Sequence, residues 1–371
     1  MKIKKHKVYL FDLIGNHCGL HYYTNAFYDL FSGNDRIDLE LLVNYEHENH
    51  PPFFKSIYTS NKLFSIYRLF VCFFRLFVFV IIHRKSTFII TSYGQTIDYL
   101  FFLLCIFNRR VIIDLHELIA KETRSNRTNT LIHVFYYRHV IGRVIIHSKK
   151  TSMLLHALKY KGRTIFVPHF KYSFSKDFKI KDISEDVIRS IVPEKKNFLF
   201  FGNMTFAKGT DLLKEAINQL SDHDIATSNF IFAGRPRDDS FSSVKDRPAC
   251  CQYILRKISD EELSYLFTNI SCTILPYRET FQSGVLETAL YFRKPVIVSC
   301  ISYFSDYLEQ YPSFGFLCSP SAEGIKQAIR QFVKGRSVTA YYTMEDCNRY
   351  DNYSVFKTFQ ADFPDFVEKI R

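Results

Sequence analysis

The chain has 371 residues, 23% of them charged and 47% apolar, which excludes a disordered polymer and exceeds one ordinary core, so two domains are expected. Its nine cysteines are odd in number and form no C-x-x-C pair, which argues against a disulfide or zinc framework and for a reducing compartment. The net charge of +12 lies wholly in residues 1–170, with 23 Lys and Arg against 11 Asp and Glu, while residues 171–371 hold 26 of each; the first part is expected to face something anionic.

The start, "MKIKKHKVYLFDLIG", is superficially like a secretory signal. Asp12 interrupts its apolar run and no small-residue cleavage site follows, so it reads as a basic start and a first buried strand. "LIGNHCGLHYYTNAF" then sets Gly15 and Gly19 between that strand and a helix. The spacing is not that of a dinucleotide-binding motif, but Gly19 lets a phosphate or sugar approach the backbone. Tyr22, Tyr23 and Phe27 suit sugar stacking, lipid contact or an ordinary core face. Leu63–His83 is the strongest apolar stretch. Arg68 and Arg75 break it, leaving runs far short of the roughly 20 residues that span a bilayer. It reads either as a buried helix or as a basic-aromatic helix lying in a membrane interface.

"LELLVN", "STFIITS", "RVIIDLH", "VIIHS" and "TIFVPH" complete the strands of the first half. His116 ends one of them and is that half's candidate for chemistry. The polar stretch Lys171–Asp186 reads as a linker. Beyond it come "FLFFGN", "NFIFAG", "CQYILRKI", "CTIL", "PVIVS" and "GFLC", again alternating with helical patterns. The fold class expected is α/β, two successive Rossmann-like doubly wound units facing a cleft. The boundaries expected are 1–175 for an acceptor-binding domain and 186–345 for a nucleotide-sugar domain, with 346–371 a terminal helix packing back on the first.

In "FLFFGNMTFAKGTDLLKEAI", Gly202 allows a tight exit from a strand and Lys208 points a cation toward the same edge. "DHD", Asp222–Asp224, has metal-diphosphate spacing but falls at the amino end of the next strand, so it reads as a polar turn. "ILPYRETFQSGVLETALYFRKPVIVS" is strand, loop, helix, strand, and carries Glu279 and Glu287 with seven residues between them. Ser283 and Gly284 open the helix, where free amides hold an anion. Glu287 lies about one turn in, placed to accept both hydroxyls of a ribose. Both glutamates equally suit a helix N-terminus for its own sake.

In order and spacing, Phe198–Gly209, "NFIFAG", "ISDEELSYLF" and the Glu279–Glu287 segment resemble the donor half of retaining GT-B glycosyltransferases of the large family four group. The resemblance covers about residues 198–330 and is thinner before them, where it rests on the opening glycine loop, "DLHEL" and "VIIHS…TIFVPH". It implies that Glu287 binds ribose and Glu279 contacts the donor sugar. It also implies that Lys208 and the amides of Gln282, Ser283, Gly284 and Val285 hold the diphosphate, and that His116 sits by the reacting sugar. The family often has Arg after the glycine that corresponds to Gly202. Here Asn203 stands there, so Arg278 or Arg235 is expected to replace it. "QSG" variants are familiar among polysaccharide-assembly enzymes.

The implied activity is transfer of a hexose from a nucleoside-diphosphate sugar to a glycan or polyprenyl-diphosphate-linked acceptor, in surface polysaccharide synthesis. No metal or cofactor and no nucleic acid is implied. The chain is expected in the cytoplasm, held peripherally on the inner face of the membrane by its anionic surface. The alternative is a non-hydrolysing nucleotide-sugar epimerase of the same fold, which needs no acceptor.

Overall fold

The computed structural model describes residues 5–17, 19–48, 50–118, 127–170, 172, 174, 178–245, 250–335 and 354–369. Its contacts divide the chain into two compact units, residues 1–170 with 353–371, and residues 171–352.

The first unit is built on a six-stranded parallel sheet of β1 (His6–Phe11), β2 (Ile37–Leu42), β3 (Thr87–Ser92), β4 (Val111–Leu115), β5 (Arg143–Ile146) and β6 (Arg163–Phe166). The order is β2-β1-β3-β4-β5-β6. Every residue of β3 and β4 is buried. A strand covered by helices on both faces must be apolar throughout rather than alternating, which is why "TFIITS" and "VIIDL" read as continuous runs. The chain reverses its direction of travel between β1 and β3, so the loops leaving those strands flank the switch point, where such sheets hold ligands.

The last helix, Ser354–Glu368, belongs to this unit. Phe363 packs 5.6 Å from Phe27 and 4.8 Å from Phe31, ring centre to ring centre. Gln360 donates to the Leu30 carbonyl at 2.7 Å, and Arg36 pairs with Asp365 at 2.6 Å. Tyr23 and Phe27 are fully buried, so they form a core face rather than a sugar- or lipid-contacting surface.

The stretch Leu63–His83 forms the helix Lys62–Ile82, started by Asn61, whose side chain accepts from the Leu63 and Phe64 amides. Only Cys72, Leu76 and Val80 on it are buried. Neither expectation for this stretch describes it fully: it is anchored in the core along one stripe and exposed along the rest.

The second unit repeats the plan with β7 (Lys196–Phe201), β8 (Ser228–Ala233), β9 (Cys251–Ile254), β10 (Cys272–Leu275), β11 (Val296–Ser299) and β12 (Gly315–Cys318). All are parallel, in the order β12-β11-β10-β7-β8-β9. Its switch point lies between β7 and β10. Phe198 stacks on Phe230 and Phe200 on Phe232 across neighbouring strands, at 5.1 and 5.8 Å.

The expected linker ends inside this unit rather than between units. Glu185–Ser190 is helical, and Arg256 bonds both Asp186 and Glu262, at 2.9 and 2.7 Å. Glu262 in turn closes a capping box with Ser259. The "DHD" triplet opens a short helix, Asp222–Ala226, capped by Ser221, before β8 and so at the opposite edge from the switch-point loops.

Candidate functional site

In the second unit three chain segments meet at the switch point. The first leaves β7 through Gly202, whose φ of +103° suits glycine. A methyl added there would meet the Lys208 ammonium at 3.2 Å and the Val285 side chain at 3.8 Å. One bare backbone position therefore lies beside both the lysine and the first turn of the helix Gly284–Tyr291. No carboxylate among the described residues pairs with Lys208; its ammonium lies 5.4 Å from the centre of the Tyr277 ring. Gly209, at φ +66°, permits the next approach. A Cβ there would sit 1.9 Å from the Pro276 carbonyl, so the loop after β7 lies directly on the loop after β10.

That second loop carries Arg278 and Glu279. Arg278 does not replace the cation missing at Asn203. Its guanidinium makes a two-pronged pair with Asp211, both bonds 2.7 Å, donates to the Phe206 carbonyl at 2.6 Å and covers the Phe206 ring at 3.7 Å. Its charge is spent on joining the two loops. Arg278→Ala is therefore expected to lower the stability of this unit by about 2 kcal/mol, because Asp211 is left buried without its partner. A chemical denaturation curve that superimposes on wild type would show that Asp211 finds water at no cost.

The position beside Asn203 is taken instead by Arg237, which donates to the Asn203 side-chain oxygen at 3.3 Å. Arg235 is exposed on the same loop after β8, with no carboxylate partner among the described residues. Met204 exchanges backbone bonds with Arg235 and Arg237, at 2.8 and 3.0 Å, which fixes that loop against the one after β7.

The third segment is the helix start. Ser283 caps it by accepting from the Leu286 amide at 3.2 Å, which leaves the Gly284 and Val285 amides for an anion. Gly284 also has a packing reason: a Cβ there would lie 2.7 Å from the Tyr172 hydroxyl. Glu279 and Gln282 are half-buried on the loop, and Thr280 donates to the Gln282 carbonyl at 2.5 Å. Glu287 is fully buried, and the Tyr307 hydroxyl donates to it. The carboxylate thus holds a hydroxyl already, the bond a ribose would make. Sequence spacing could not reveal Tyr307, which comes from the helix after β11.

In the first unit the carboxyl edge of the sheet gathers a buried polar cluster. His116 follows β4 and is 2% exposed, packed edge-on to Tyr23 at 4.3 Å. Its neighbour is Asp114, an acid in an apolar strand. Asp114 accepts from His147 at 2.7 Å and from the Tyr23 hydroxyl at 2.9 Å, and lies 3.4 Å from the His116 ring. Burial alone would raise the Asp114 pKa, but the fields of His147 and His116 and their hydrogen bonds outweigh it and hold the carboxyl well below its ordinary range. Burial pushes His116 down, against the pull of Asp114, and pushes His169 down to about 3.

Asp12, after β1, accepts from the Ile14 and Gly15 amides and from Thr24. Gly15, at φ +53°, is the glycine that this turn demands; Gly19 has an ordinary φ, and a Cβ there would touch the Tyr22 ring at 3.8 Å. Asp114, His116 and His147 also have the ligand types of a metal site, but the Asp114 oxygens are already taken by His147 and Tyr23.

Comparison with known proteins agrees with this geometry. Residues 183–354 match the sequence profile of the family described as glycosyl transferases group 1. No curated protein matches the sequence. Among solved structures, the sucrose-phosphate synthase of Thermosynechococcus elongatus is similar at TM-score 0.68 and 13% identity, covering 98% of both chains. HepE of Anabaena, solved with UDP and glucose, gives 0.67 and 14%, covering 96% of this chain and 99% of its own. WaaG, a glycosyltransferase involved in lipopolysaccharide biosynthesis, gives 0.65 and 10%, covering 97% and 99%. The two Rossmann-like units of this chain are the fold of GT-B glycosyltransferases.

Proposed function

We propose that the chain transfers a hexose from a nucleoside diphosphate to a lipid-linked glycan acceptor in polysaccharide assembly, with retention of anomeric configuration. The observation that carries the donor half of this reading is the convergence at Gly202 of a lysine that pairs with no carboxylate among the described residues and an open helix start. The family match over the same residues supports it. Retention rests on the resemblance of the Glu279–Glu287 segment, and the lipid-linked acceptor on the basic, apolar first half.

In the reaction, the bond from the sugar C1 to the β-phosphate oxygen breaks, and its electron pair stays on the diphosphate. The acceptor oxygen bonds to C1, and its proton passes to the departing phosphate. Negative charge grows on that phosphate, so fixed donors aimed at it supply the largest stabilisation. Lys208 and the Gly284 and Val285 amides are those donors, with Arg235 and Arg237 on the neighbouring loop. Asn203 and Gly202 leave room for the phosphates. Glu279 holds the sugar hydroxyls, and the role of His116 beside the reacting sugar rests on the resemblance alone. Glu287 takes the ribose in place of Tyr307.

Calorimetry with UDP, GDP and ADP tests the donor site. UDP comes first, because HepE is solved with it. Glu287→Ala is expected to weaken the nucleotide that binds by about 1.5–3 kcal/mol, roughly 10- to 100-fold. Unchanged affinity would overturn the ribose assignment.

A further inference from the structure

We propose that the outward face of the helix Lys62–Ile82 docks on an anionic lipid bilayer. At about 100° per residue, Leu63, Tyr67, Phe70, Phe74 and Ile81 share one stripe, roughly opposite the buried Cys72, Leu76 and Val80. Leu63 is 78% exposed, Phe74 65% and, at the helix end, Ile82 68%. A surface helix of a globular unit normally turns charge to water on that side. Here the stripe carries none, and contiguous exposed apolar surface of this kind marks an interaction site. Phe107, also exposed, packs against Phe77 at 5.0 Å and widens the patch onto the next helix.

Charge names the occupant. From Glu48 to Asp98 the sequence has no acidic residue, but it has Lys55, Lys62, Arg68, Arg75, Arg84 and Lys85. Arg68 and Arg75 border the stripe, held over Phe64 and Phe53 at 4.5 and 4.4 Å. Apolar side chains rimmed by cations of one sign fit a surface that is apolar within and anionic at its face. A second copy of this chain would bring two like-charged rims together, which opposes association. Spanning is disfavoured as well. Cys72, Leu76 and Val80 belong to the core of the first unit, and Phe73 and Phe79 pack on Phe101 and Tyr9 at 5.8 and 4.9 Å. The helix therefore lies along the bilayer with its inner stripe still in the protein.

The docking also has a direction. Just before the helix, Tyr58 stacks on His17 at 4.0 Å, in the turn that leaves β1 at the carboxyl edge of the sheet. The bilayer would lie beside the loops of the first unit's polar cluster. That clause rests on the lipid-linked acceptor proposed above; the docking itself rests on the surface alone.

Co-sedimentation of the full chain with vesicles tests it. Binding is expected to vesicles containing phosphatidylglycerol at low ionic strength and to fall at least tenfold with pure phosphatidylcholine. The double variant Phe70→Ser, Phe74→Ser should lose it too, while its nucleotide affinity in calorimetry stays that of wild type, because both side chains are exposed and lie outside the donor unit. Absence of pelleting with anionic vesicles, or pelleting untouched by the double variant, overturns the proposal. So does a stable dimer in sedimentation velocity that the same variant dissociates, since the face would then be covered by a second copy. Loss of nucleotide binding in wild type would overturn the donor reading and leave the docking standing.

Discussion

Lys208→Met is expected to lower turnover by about 10²–10³-fold, near 3–4 kcal/mol, while donor affinity changes much less. The asymmetry is the point. The diphosphate is charged in the ground state, but it gains a further charge only as the bond to C1 breaks. A fixed ammonium therefore stabilises the transition state more than the bound donor, and its removal shows in kcat more than in KM. Lys208 suits this role because its ammonium lies beside a glycine carrying no side chain and pairs with no carboxylate among the described residues. Arg278, by contrast, sits on the adjoining loop with its charge already committed to Asp211. A steady-state assay with the nucleotide identified by calorimetry checks the split. Full turnover in a folded Lys208→Met protein would shift the role to Arg235 or Arg237, and the corresponding double variants would then carry the loss.

The strands of both units were legible because a parallel strand buried on both faces is a continuous apolar run between polar breaks. Placement of Gly202, Lys208, Glu279 and Ser283 on loops and a helix start at one edge was legible for the same reason, since each follows directly from a strand end. Partners were not. Arg278 reads as a free cation until the chain brings Asp211, 67 residues away in sequence, against it. Asn203 reads as a missing charge until the β8 loop lays Arg237 beside it. Glu287 shows its carboxylate in the spacing but not the tyrosine that fills it. The helix Lys62–Ile82 is apolar on both its inner and its outer stripe, so no periodicity could tell one from the other; that took the packing of Cys72, Leu76 and Val80. His147 had a signal that went unused. Like His116, it is a polar residue at the carboxyl end of an apolar strand.

That second histidine underlies the other large effect. His147 turns one ring nitrogen to the Val167 carbonyl at 2.9 Å and the other to the Asp114 carboxylate at 2.7 Å. A carbonyl and a carboxylate only accept, so each of these bonds takes its hydrogen from the ring. Asp114→Ala takes from the inner nitrogen its 2.7 Å partner, deep in the first unit, and from the Tyr23 hydroxyl its 2.9 Å acceptor, leaving those two groups 3.4 Å apart. Breaking a buried pair from one side costs about 3–5 kcal/mol, more than deleting both partners would. Guanidinium unfolding followed by circular dichroism should show that loss in the transition of the first unit. Asp114→Asn should lose less, because its amide oxygen can still accept from His147. Acid adds a second reading. Burial holds His116 below the ordinary imidazole value of 6.5 and His169 near 3, so below about pH 6.5 the unfolded chain binds protons that the folded unit refuses. Stability of the first unit should therefore fall as pH drops from about 6.5 toward 3. Asp114→Ala should deepen that fall, since it removes the carboxylate that most favours a charged His116. If the alanine variant unfolds with wild type at every pH, the Asp114 bonds contribute nothing to holding the carboxyl edge of the first sheet together, and His116 takes its position from ring packing such as that on Tyr23 and Tyr93.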